Sequence, residues 1–143
     1  MTAITAETVP TRRFTFATIA PHVARVLLGG LFTFASIAYF VFPPPAELPP
    51  GNAGLFVSGL AAAGYLMPLV KITELIVGLA LLSNRFVPLA LIVLAPVSVN
   101  IFFTHAVLMR EGLPAAIVII ALQLFLAWTH RRAYSLLFKA KAA

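Results

Sequence analysis

The sequence has no cysteine, four acidic residues and one tryptophan in 143 positions. Without cysteine there is no disulfide scaffold, no thiol redox chemistry and no thiolate metal site. Charged residues make up 10% of the chain, against about 25% in an ordinary soluble domain. No glycine-rich phosphate loop, nucleophile–base pair or paired-carboxylate arrangement occurs. The alternation of apolar and polar residues that a membrane barrel requires is also missing. Hydrophobic residues account for 62%, and the mean hydropathy is +1.04. A water-soluble globule of this size could not hide so much apolar surface. The composition excludes a soluble enzyme, a disordered chain and a nucleic-acid-binding module, and it points to an integral membrane protein.

Only helices and closed barrels satisfy every backbone group in lipid, and a helix crosses with about 20 apolar residues. Four such runs are present, near Ile19–Phe42, Tyr65–Ser83, Val87–Leu108 and Leu113–Thr129. The expected fold is all-α: an integral membrane four-helix bundle spanning residues 19–138. A flexible cytoplasmic N-terminus (residues 1–18) precedes it and a basic tail (139–143) follows. The first run is taken as a retained span and not a cleaved signal. Pro43, Pro44 and Pro45 break the chain after span one, while Pro88 and Pro114 suit the first turns of spans three and four. Asn52–Gly64 is apolar but too short to cross. It reads as a short extra surface helix or re-entrant segment on the outer side, or else as an extension of span two.

The net charge of +6 has a topological reading, because basic residues gather at cytoplasmic ends. With the N-terminus in the cytoplasm, Arg12, Arg13, Arg25, Arg85, Arg131, Arg132, Lys139 and Lys141 share that side. Arg110 lies outside and Lys71 within a span. Both termini are then cytoplasmic.

Ionisable groups inside a bilayer cost several kcal/mol unless paired or solvated, so each needs a reason. Lys71 and Glu74 are three residues apart and share a helix face, which Gly78 continues. Counting the helical rise places Glu74 about 13 Å and Asn100 about 12 Å below the outer surface. Lys71, His105 and Tyr39 lie in the same half, and Gln123 near the midplane. These six residues form the candidate ligand-binding set, with Glu74 the candidate proton carrier and no residue assigned to catalysis. Each has a structural alternative. Lys71–Glu74 can be an ion pair locking two helices, Asn100 helix–helix glue, and His105 a headgroup-level residue. Tyr39 and Trp128 fit the aromatic belts, and Arg25 fits a cytoplasmic-end anchor. No metal site stands out, since His22 and His130 lie at one end and His105 at the other.

Leu69–Leu108 resembles the DoxX family of small bacterial four-span membrane proteins. The shared features are Glu74 followed by Gly78, the connection N-R-F-V-P-L-A at Asn84–Ala90, and A-P-V-S-V-N at Ala95–Asn100 leading to His105. The start of span one at Arg25 and the ending W-T-H-R-R-A-Y from Trp128 to Tyr134 also match. The resemblance implies a four-helix bundle in the bacterial inner membrane, associated with oxidoreductase assemblies and quinone. Three functions remain open. One is an accessory subunit that binds a quinone or lipid and is not an enzyme on its own. The others are a structural anchor, with a protein partner or a second copy of itself, and a small oligomeric transporter.

Overall fold

A computed structural model of the chain describes residues 16–42 and 47–135. The triple proline, Arg12, Arg13, Lys139, Lys141 and most of the expected N-terminal stretch lie outside the described residues. Among the described residues six α-helices follow one another: α1 (Phe16–Val41), α2 (Asn52–Ala62), α3 (Leu66–Leu82), α4 (Val87–Val107), α5 (Leu113–Thr129) and the single-turn α6 (Arg131–Tyr134). A 3-10 turn at Arg110–Gly112 joins α4 to α5. No strand occurs among the described residues. Residues 16–18, expected to be flexible, already belong to α1.

The four long helices close a ring in which α1 packs on α3 and α5, and α4 packs on α3 and α5. The surface is inverted relative to a soluble protein. Phe34, Leu124, Ile76 and Phe103 point outward, suited to acyl chains. Inside, Leu28, Leu81, Leu94 and Leu126 have no exposed surface, one from each long helix. Each of those helices also buries one polar residue: Ser36, Glu74, Ser98 and Gln123.

Lipid tails are as apolar as leucine, so close packing and hydrogen bonds must join helices here. The α1–α3 contact shows how. Gly29 and Gly78 face each other, and a Cβ on Gly78 would stand 2.9 Å from the Thr33 amide nitrogen and 3.0 Å from the Gly29 carbonyl. Nothing larger than hydrogen fits.

Helix α3 ends in a Schellman motif. The Arg85 amide donates to the Ala80 carbonyl (3.0 Å) and the Asn84 amide to the Leu81 carbonyl (3.1 Å), with Asn84 in the left-handed region at φ 57°. Arg25, toward the end of α1 at which a cytoplasmic anchor is expected, reaches across to α3. Its guanidinium donates to the carbonyl of Leu81 and, at 3.0 Å, to that of Leu82. It therefore supplies a cation to a helix C-terminus, where the macrodipole is negative. Pro88 and Pro114 occupy first turns of α4 and α5.

Among the described residues three stretches are long and apolar enough to cross a membrane: Thr18–Val41, Val87–Val107 and Arg110–Thr129. Helix α3 has 17 residues, about 25 Å of rise. It passes the same test only together with α2 as one bent pair, whose axes meet at 86°. Asn52–Gly64 is thus a separate helix and not an in-line extension of span two. The corner is built at Gly64, whose φ of 69° suits a residue without Cβ.

Candidate functional site

At the end of the bundle where α3 begins and α4 ends, a cavity of about 370 Å³ opens between α3 and α4, with α2 across it. Its wall is mostly apolar: Phe56 and Leu60 from α2, Met67 and Val70 from α3, Pro96, Val97 and Ile101 from α4. Five polar side chains also line it, namely Lys71, Glu74, Asn100, Thr104 and His105.

Glu74 is almost fully buried. Its carboxylate accepts from Lys71 Nζ at 2.7 Å, with side-chain exposures of 3% and 18%. The pair lies one turn apart on α3. It neutralises its own charge without bridging to another helix, so it does not lock two helices together as one reading of the sequence had it. Asn100 is exposed at the cavity rim, and its Oδ1 accepts from Thr104 Oγ1 at 3.1 Å. Glu74 and Asn100 share the cavity, but no hydrogen bond joins them among the described residues.

His105 is anchored by Nδ1, 3.2 Å from the Met109 carbonyl. A carbonyl only accepts, so Nδ1 carries the proton, and in the neutral ring Nε2 remains an acceptor. The ring seats against Gly112, where a Cβ would collide with Nδ1 and Cε1. The site thus offers an ammonium donor, a carboxylate acceptor, an imidazole acceptor and an amide within an apolar wall. Small-molecule sites commonly combine a mainly apolar lining with a few convergent polar groups.

Two of the six expected residues lie elsewhere. Tyr39, near the end of α1, packs edge-on against Phe40 (centroids 5.2 Å apart). It lines a second cavity of about 670 Å³ on the other side of α2, bounded also by Phe42, Val57, Leu60 and Met67. Gln123 is buried on α5, and its Nε2 donates to the Leu91 carbonyl of α4 at 3.0 Å. It borders a third cavity of about 540 Å³ with Leu91, Ala127 and Tyr134, toward the opposite end. The expected convergence of polar residues from four spans is therefore corrected: among the described residues, the charged cavity draws its polar groups from α3 and α4 alone. Burial pushes the Tyr134 phenol above its usual value, and its hydroxyl donates to the Pro88 carbonyl at 3.3 Å.

Sequence reasoning missed Thr104 and the α2 residues. Thr104 could have been found, since it follows Asn100 by one helical turn. Phe56 and Leu60 carried no such signal, because their role depends on the sharp corner at Gly64. No group of three or more metal-ligating side chains occurs among the described residues.

The fold defines the class: an all-α membrane helical bundle. Comparison with known protein families, with curated proteins and with solved structures finds no match to this chain.

Proposed function

We propose that this is a DoxX-like protein of the bacterial inner membrane that binds a small amphipathic molecule, a quinone or a lipid, in the cavity between α3 and α4. In this reading it serves an oxidoreductase assembly as an accessory subunit. The observation that carries the proposal is the buried Glu74 carboxylate, paired with a partly buried Lys71, opening onto an apolar cavity with Asn100 and His105 on its far wall. Buried charges are costly in a bilayer and tend to mark functional sites there. Lys71 would donate to a carbonyl or hydroxyl, and Glu74 or His105 Nε2 would accept from a hydroxyl. If the ligand is a quinol, Glu74 is the group placed to take up its proton. Basic residues support an orientation with this cavity in the extracytoplasmic half. Arg25, Arg85, Arg131 and Arg132 cluster toward the other end, whereas Arg110 shares the cavity end with Glu47 and Glu111.

The test is mass spectrometry of what co-purifies with the wild-type protein, repeated on Glu74→Gln and Asn100→Ala. A quinone or lipid held by the wild type and lost from both variants, with helical content unchanged, supports the reading. A wild-type protein that carries no ligand and takes up none from added quinone or lipid overturns it. Solute flux in proteoliposomes that disappears with Glu74→Gln would favour transport instead.

A further inference from the structure

The cavity that holds Lys71 and Glu74 and the apolar cavity beside Tyr39 share two wall residues, Leu60 of α2 and Met67 of α3. These side chains form the partition between two spaces of about 370 and 670 Å³. The larger space is lined almost wholly by apolar groups, while the smaller holds the charged pair. Both partition residues are only partly buried, and methionine has three rotatable bonds and adapts easily. Helix α2, which crosses between the two spaces, has only Ala53 and Gly54 buried, so it is held loosely against the bundle.

We propose that the two cavities form a single tunnel for one molecule, a single-chain amphiphile. Its small uncharged head sits against Lys71 and Glu74, and its chain passes beneath α2 between Leu60 and Met67 toward Tyr39. This rests on the ligand-binding reading above and extends it to the shape of the ligand. The head is uncharged because Lys71 and Glu74 already neutralise one another, and an added charge would be left unpaired in an apolar site. One chain fits better than two, since the passage is bounded by just two side chains. A quinone and a monoacyl lipid share this chemistry.

Photolabelling tests the path without depending on how strongly the chain partitions into lipid. Two probes with identical ten-carbon chains are used, one with a benzoquinone head and one with a glycerol head. Each carries a diazirine either beside the head or at the chain end. The expected result is head-proximal labelling of Val70 or Ile101 and chain-end labelling of Tyr39, Phe42 or Val57, both removed by excess unlabelled compound. Whichever head gives competable labelling identifies the source. Val57→Trp, at a residue that lines only the larger space, should abolish chain-end labelling of Tyr39 and Phe42 while head-proximal labelling persists. Ala61→Trp, which also lines only the larger space, provides a second block should the first variant misfold. Head labelling with the chain end found only on outward residues such as Phe34 and Ile76 would overturn the tunnel and leave the head site standing. Absence of competable labelling by either head would overturn both, as would labelling that Glu74→Gln leaves unchanged.

Discussion

The Lys71–Glu74 pair is asymmetric, and that asymmetry has an energetic consequence. Lysine keeps 18% of its side-chain surface and can extend its long stem toward polar surroundings, whereas Glu74 keeps 3%. Lys71→Met would leave a carboxylate buried without a partner, which costs about 3 kcal/mol or more. Glu74→Gln would leave an ammonium that can move outward. Thermal unfolding in detergent should show Lys71→Met as the more damaging change, and Lys71→Met with Glu74→Leu together should recover much of the loss. Equal losses from the two single variants would contradict this account. The pairing itself was legible from sequence, because a three-residue spacing on a helix fixes which side chains are neighbours. Gln123 was not, for a definite reason. Counting residues gives height along a helix axis, but it does not give the direction a side chain faces around the bundle. Gln123 has a plausible height for the charged site and points instead to the Leu91 carbonyl.

At the scale of helices, the seam between α1 and α3 is set by glycine. A side chain at Gly78 collides with α1 backbone, so Gly78→Leu should destabilise the bundle by about 1–3 kcal/mol or prevent its assembly. Gly30 is the internal control, because a Cβ there meets nothing within 4 Å. Gly30→Ala should be neutral or stabilising by up to about 1 kcal/mol through helix propensity. Melting temperatures of the two variants measured side by side decide the matter. Arg25 belongs to the same seam. Removing its two carbonyl bonds with Arg25→Leu should cost roughly 1.5–3 kcal/mol, and hydrogen exchange should rise at the C-terminal turn of α3 before elsewhere. The helix boundaries followed closely from the prolines and the apolar runs. The cross-helix role of Arg25 did not, because it depends on the register that Gly29 and Gly78 impose between two helices far apart in sequence. The 86° corner between α2 and α3 was also beyond the sequence, which gave a short apolar segment but no angle.

For the whole molecule, the missing cysteine becomes an experimental advantage, since every introduced thiol is unique. Asn52 and Ser83 are exposed at opposite ends of the bundle. In intact cells expressing the protein, a membrane-impermeant maleimide should label Asn52→Cys directly and Ser83→Cys only after permeabilisation. The reverse pattern would invert the proposed orientation. The bundle class was legible from composition alone, because apolar content this high has few other solutions. The detailed sidedness of its interior was not, since the outward and inward faces of these helices are almost equally greasy.

The tight corner at Ser83–Phe86 also bears on how such a chain is made. Helix α3 alone is short and carries two ionisable groups, so a translocon would admit it poorly, at a cost of roughly 2.5–3.5 kcal/mol for each one near its centre. The Schellman closure ends α3 and the chain runs within four residues into α4 (Val87–Val107), which is long and carries no Asp, Glu, Lys or Arg. The expected consequence is that the two enter the bilayer together as a hairpin, with the second helix carrying the first. In a glycosylation-mapping assay α3 fused to a reporter should fail to integrate by itself and should integrate once α4 follows it, making biogenesis of the charged site a debt of its neighbour.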